Sequence, residues 1–189
     1  MRKLGLVVAF SLMFAQPVRA QHGPHEHGVA SLKLAIDGAQ LVVEFESPLD
    51  NLTGFEHAPR TAAQREALER VEAVLADGTR LFAISPEAQC ALEEAQVESP
   101  FEEEHEHHGH DHSGHAHEHG AHADGGAEDG HSDMYAVWQF RCAEPSRITA
   151  IDVKLFDAFA RLGSIRAELV SPAGQRAVRL DKAKRRIEP

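Results

Sequence analysis

Ten histidines fall within 27 residues at the middle of the chain: His105, His107, His108, His110, His112, His115, His117, His119, His122 and His131, set among Glu, Asp, Gly and Ala. Neutral imidazole is a good ligand for zinc, copper and nickel, so such a tract reads as metal-binding on composition alone. The mixed His-x-His and His-x-x-His spacings let several imidazole sets converge on one ion, which gives capacity rather than one rigid site. A solvated acidic linker without chemistry is the plain alternative. Zn2+ is the expected cargo. Cu2+ and Ni2+ stand beside it, because imidazole affinity follows the Irving–Williams order and does not by itself select zinc.

A second group of histidines precedes the first predicted strand, in Gln21-His22-Gly23-Pro24-His25-Glu26-His27-Gly28. In an extended segment His25 and His27 point the same way, which suits two ligands on one ion. The remaining histidine, His57, lies in the loop Gly54-Phe55-Glu56-His57-Ala58-Pro59. Glu26 and Glu56 are candidate acceptors for orienting imidazole rings, or simply solvated carboxylates. There is no His-Glu-x-x-His motif and no recognisable nucleophile set, so the reading is of a non-enzyme. A zinc hydrolase using Glu26 or Glu56 as base is the catalytic alternative.

The N-terminus indicates where this chemistry takes place. Arg2 and Lys3 precede an apolar run from Leu4 to Ala15, and Val18-Arg19-Ala20 closes it, the pattern of a cleaved secretory signal over residues 1–20. That run is too short to span a bilayer, and nothing later approaches the length needed, so a periplasmic mature chain with no membrane span is expected. Removing Arg2, Lys3 and Arg19 leaves 16 basic against 30 acidic residues, a formal charge of −14. Such a balance disfavours nucleic acid and anionic membrane as partners. Carboxylates from Glu98 to Asp133 crowd beside the histidines and concentrate divalent cations before any specific ligation.

An exported chain with two cysteines, Cys90 and Cys142, is expected to join them; a Cys2His2 zinc site is the rival, without a Cys-x-x-Cys pair to support it. If residues 90–98 and 133–142 pair as antiparallel strands, Cys90 opposite Cys142 also sets Leu92 opposite Phe140. The bridge then pins the base of the insert, and closing a loop of about 50 residues stabilises by roughly 4 kcal/mol in the chain-entropy model.

The elements that must position these groups read as α+β. Val29 to Ile36 and Leu41 to Phe45 alternate around the hairpin signal Asp37-Gly38. From Thr61 to Ala76 the period turns helical, with Thr61 and Gln64 as a capping box, Leu68, Val71 and Leu75 on one face, and Asp77-Gly78 as the stop. Further strands are predicted over 81–84, 90–97, 134–142, 148–155, 164–170 and 175–180, with a short helix over 156–162. Trp138, Phe140, Phe156 and Phe159 are assigned to the core. The expectation is a single compact, monomeric domain, mostly antiparallel, from 21–98 and 133–189, with one clear helix and a disordered His-rich acidic loop over 99–132.

The chain resembles the ZrgA-like periplasmic zinc-binding proteins. The shared features are His25-Glu26-His27-Gly28 leading into the first strand, Ser47-Pro48, Gly54-Phe55-Glu56-His57-Ala58-Pro59, the Ala88-x-Cys90 and Phe140-x-Cys142 pair, the His-rich insert, and Leu155-Phe156. Their order runs through almost the whole mature chain. The resemblance implies zinc capture in support of acquisition or buffering. It favours His25, His27 and His57 as an ordered site, with His22, a water or a loop histidine completing the tetrahedron, and leaves the individual tract histidines unassigned. Two tiers of binding follow, the ordered site and the weaker, more capacious tract. A metal-bridged adaptor for the solute-binding component of a zinc importer, or a copper or nickel sequestration protein, are the alternatives.

Overall fold

The computed structural model describes residues 26–101 and 132–189. The expected signal segment 1–20, His22, His25 and all ten tract histidines lie outside the described residues.

The first hairpin is built as its pattern predicts, and is longer. Strands β1 (Val29–Asp37) and β2 (Gln40–Pro48) turn through Gly38, whose φ of +54° suits a residue without Cβ. A single helical turn, α1 (Asp50–Thr53), follows at once. The main helix α2 (Ala62–Ala76) carries the expected capping box: the Thr61 hydroxyl accepts from Gln64 N–H, and the Gln64 side chain accepts from Thr61 N–H. Next come α3 (Gly78–Leu81), β3 (Phe82–Ile84), β4 (Cys90–Glu98), β5 (Asp133–Cys142), β6 (Ile151–Val153), α4 (Leu155–Ala158), β7 (Ser164–Ser171), β8 (Gly174–Asp181) and β9 (Arg186–Ile187).

Two sheets result. The larger has the order β4-β5-β2-β1-β7-β8 and is antiparallel except where β1 and β7 run parallel; the smaller has the order β3-β6-β9. In β1, β2, β5 and β7 alternate residues are buried: Leu32 and Leu34, Leu41, Val43 and Phe45, Met134, Ala136 and Trp138, Ile165, Ala167 and Leu169. Their neighbours, such as Lys33, Glu44, Tyr135 and Glu168, face water. The larger sheet is therefore covered on one face only, as period-2 patterning requires. Trp138, fully buried, donates its indole N–H to the Leu75 carbonyl at 2.7 Å, tying the end of α2 to the sheet, while Phe82 meets it edge-on at a centroid distance of 4.9 Å. Phe140, Phe156 and Phe159 are buried as expected.

Cys90 and Cys142 form a disulfide, at register-paired positions that also set Leu92 opposite Phe140. The ladder shifts by a residue between Leu92 and Glu94, a bulge that periodicity does not reveal. Beyond β4, Phe101 lies against the core, although its composition grouped it with the insert.

Four expectations need correction. Asp77-Gly78 ends α2 as expected, but the separate turn α3 follows, with the Thr79 hydroxyl on Asp77 at 2.6 Å, and takes up Leu81, so the predicted strand 81–84 begins at Phe82. The strand expected over 148–155 shrinks to Ile151–Val153: Pro145–Arg147 form a 3-10 turn, and the backbone at Thr149 and Ala150 donates to the Ser85 hydroxyl. The short helix expected over 156–162 is the turn Leu155–Ala158, with Phe159 and Leu162 buried from the loop beyond it. The pair Arg186–Ile187, too short to carry a period, was not anticipated as a strand.

Gly78 faces the indole of Trp138 so closely that a Cβ would overlap ring carbon Cδ1. Overfilling a packed site of this kind costs about 1–3 kcal/mol, so Gly78→Ala should lower the urea midpoint accordingly. An unchanged midpoint would mean that α3 and Trp138 separate freely.

Candidate metal centre

His27 stands two residues before β1, and the hairpin register decides what it meets. Ser31 faces Glu46 and each step along the ladder conserves that relation, so continuing past the strand end brings position 27 opposite position 50. There His27 Nδ1 lies 3.3 Å from Asp50 Oδ2 and 3.6 Å from Glu56 Oε1. Carboxylate oxygens only accept, so the Asp50 contact places the ring proton on Nδ1 and, in the neutral ring, leaves the lone pair on Nε2. The ring is 64% exposed, whereas Asp50 is 14% exposed. An accessible imidazole thus rests on a nearly covered carboxylate.

Asp50 is itself firmly held. Arg161, from the connection between α4 and β7, sends Nη2 to both carboxylate oxygens at 2.9 and 2.8 Å and Nε to the Asp50 carbonyl at 2.9 Å. These bonds hold the Asp50 carboxyl below the usual aspartate range; burial opposes them, and His27 adds to the lowering. Next to it, fully buried Asn51 donates to the Val29 carbonyl at 3.0 Å and the Ser47 hydroxyl at 3.1 Å, and accepts from Gly28 N–H. The segment carrying His27 is therefore tied to α1 by backbone as well as side chain. Gly28, at φ +79°, passes its carbonyl to Gly163 and Ser164 N–H, and a Cβ on Gly163 would stand 3.2 Å from that carbonyl.

His57 is fixed differently. The Thr53 hydroxyl caps the turn after α1, accepting from Phe55 N–H at 3.2 Å, and the Phe55 ring stacks on His57 at a centroid distance of 5.5 Å. His57 Nδ1 lies 2.9 Å from the Ala58 carbonyl, again an acceptor, so here too Nε2 is left for a ligand.

The structure thus places two of the four expected ordered-site histidines, His27 and His57, on neighbouring segments joined through the contact of Glu56 with His27. It does not assemble a complete metal site: among the described residues no three His, Cys, Asp or Glu side chains are grouped to hold an ion. Of the two glutamates expected to orient imidazoles, Glu56 is beside His27. Glu26 takes Arg166 Nη2 on its carboxylate at 2.6 Å, because the parallel pairing of β1 with β7 brings that arginine near the start of β1; His22 and His25, the other imidazoles near it in sequence, lie outside the described residues. Cys90 and Cys142, being bonded to one another, are not metal ligands. Asp50, Asn51 and Arg161 were missed from sequence. Asp50 was accessible in principle by counting the hairpin register outward from its turn, whereas Arg161, 111 residues further on, carries no such signal.

One further contact concerns the insert. Leu49 N–H donates to the Ser132 carbonyl at 2.9 Å, and Pro48 is paired with Asp133. The return of the chain from the His-rich segment is therefore attached one residue from Asp50, at the same end of the sheet as His27.

A family model described as ZrgA family zinc uptake protein matches residues 24–189, a span that takes in His25, His27, His57, both cysteines and the tract. No curated protein matches the chain.

The lowered carboxyl of Asp50 has a consequence for stability. A group whose folded pKa lies below its unfolded value near 3.9 stabilises the fold above that pH and ceases to do so as acid protonates the folded form. Asp50→Asn should therefore cost about 1 kcal/mol at pH 7 and progressively less as the pH falls below about 3.9, measured by urea denaturation of both proteins at pH 7 and at successive acid pH values. An equal deficit at all of these pH values would show that charge is not what holds Asp50.

Proposed function

The chain belongs to the ZrgA family of zinc uptake proteins, and on that premise we propose that it captures zinc in the periplasm through two tiers of imidazole, an ordered site and a high-capacity tract. The observation that carries the ordered tier is that both described histidines, His27 and His57, set Nδ1 against an oxygen acceptor. That is the arrangement of ligating histidines generally, because an acceptor behind the ring fixes its orientation and raises its basicity. His27 and His57 bind through Nε2, His25 supplies a third imidazole, and His22, a water or a tract histidine completes a tetrahedral zinc site. Asp50 and Glu56 orient His27 and contribute negative charge beside the cation.

The ten histidines from His105 to His131 form the second tier. Attachment of Ser132 beside Asp50 supports exchange between the tiers, since a tethered ligand works at an effective concentration near millimolar without any further affinity. A cation held weakly by the tract can then be passed to the ordered imidazoles without leaving the protein. Among the described residues no helix is long and apolar enough to cross a membrane, in keeping with capture in the aqueous periplasm.

Two variants test the tiers: His27→Ala with His57→Ala in one protein, and deletion of residues 103–131 in another. The first should abolish the tightest class of zinc site in competition titrations and leave capacity nearly intact; the second should lower capacity and keep the tightest class. Loss of the same sites with the same affinities from both would refute the division.

Acid gives an independent check. An imidazole of pKa about 6.5 is roughly 3% neutral at pH 5, so a three-histidine site should bind zinc about four orders of magnitude more weakly there than at pH 7.5. Calorimetry giving the same affinity at both pH values would exclude histidine ligation.

A further inference from the structure

Arg161 makes three contacts with a single residue. Its Nη2 spans both carboxylate oxygens of Asp50 while its Nε reaches that residue's own carbonyl, so the guanidinium grips Asp50 by side chain and backbone together. The remaining contact of Oδ2 is His27 Nδ1 at 3.3 Å. Nη2 reaches both oxygens while Nε of the same rigid plane is held by the Asp50 carbonyl, so the carboxylate cannot rotate about its terminal bond without losing one of the two contacts; an ammonium carries no second donor at a fixed angle to the first. With Oδ1 and Oδ2 fixed in plane, only one edge of Oδ2 is presented to the imidazole.

The modest part these bonds play in fold stability does not by itself call for both oxygens to be held. Arg161 is 57% exposed, and ion pairs in water add little to stability. Nor is the arginine shared with another described acid, since all three of its hydrogen bonds end on Asp50. Its side chain also lies across Gly54, whose added Cβ would stand 3.9 Å from Arg161 Cδ, so the same residue borders the start of the loop that carries His57.

We propose that Arg161 is a positioning residue for zinc binding: it locks the Asp50 carboxylate in the orientation that keeps the proton of His27 on Nδ1 and the Nε2 lone pair directed at the metal. This inference rests on His27 being a ligand, as set out above. Arg161 has no lone pair to offer a metal and would act only through Asp50.

The test uses the full mature chain with 15N-labelled histidine. Ring nitrogen shifts of His27 and His57 report the tautomer of each neutral imidazole directly, and zinc titration followed at those two signals reads the ordered site apart from the tract. In the wild type, His27 should be mainly the Nδ1–H form. In Arg161→Gln it should move toward the Nε2–H form that predominates in free histidine, with the zinc midpoint at its signal rising about tenfold, the lower range for loss of a group behind a ligand. Arg161→Lys, which keeps the charge without the fork, should behave like Arg161→Gln. The His57 tautomer should stay as it is in both.

An unchanged His27 tautomer in Arg161→Gln overturns the proposal, as does full rescue by Arg161→Lys, which would leave charge alone as the cause. Equal disturbance of His57 together with a large fall in melting temperature would assign Arg161 a merely structural role. His27→Ala with wild-type zinc uptake would refute the ligand reading itself, and would do so whatever the Arg161 variants show.

Discussion

The hydrogen-bond register of the three central strands is the constraint on which the rest of the molecule depends. Ser31 faces Glu46 and Glu46 faces Tyr135, and from those two relations follow both the buried face of the sheet and the company kept by His27. A slip of one residue between β1 and β2 would turn Leu32, Leu34 and Ile36 to water and carry His27 away from Asp50. Core and site are thus specified by one ladder. The site inherits its rigidity from burial that takes place elsewhere, in the layer of Phe45, Trp138 and Phe140 beneath the larger sheet.

The division of labour between the two ends of the sheet has a physical basis. At the end where the disulfide joins β4 and β5, the chain closes covalently, with Cys142 buried. At the opposite end, strands β1 and β7 begin while β2 and β4 finish, so turns, exposed polar groups and the return from the insert accumulate there. The proposed cation-binding site is suited to such an end. Its imidazoles must be reachable by a hydrated ion, yet their supports must be shielded from water to remain in place, and the contrast between exposed His27 and nearly covered Asp50 meets both requirements. Fully buried Asn51 supplies the shielded anchor for the backbone, its amide nitrogen donating to β1 and β2 and its oxygen accepting from Gly28 N–H.

Capacity and affinity place opposed demands on a chain. Tight binding needs a few ligands held in one geometry, so that little entropy is lost on coordination; high capacity needs many ligands with no fixed geometry at all. A folded domain with a long histidine-rich insertion satisfies both, provided the two parts lie close. The hydrogen bond between Leu49 and Ser132 attaches the chain returning from that insertion beside the proposed ordered site. The acidic surplus of the chain serves both parts by raising the local concentration of divalent cations.

The sequence alone determined the class of fold, the capped helix at Thr61, the core identity of Trp138 and its neighbours, and the pairing of Cys90 with Cys142, and its histidine composition motivates the proposed metal binding. All of these rest on local period, composition or the chemistry of a residue type, which act over a few positions or need no partner at all. Tertiary structure alone decided that β1 runs parallel to β7, that Glu26 is taken by Arg166, and that Arg161 reaches across 111 residues to hold Asp50. Contacts of that kind arise because a buried apolar face forces distant strands into one sheet, and whatever polar residues happen to flank them are brought together as a consequence. No pattern within a short window records which ones they will be.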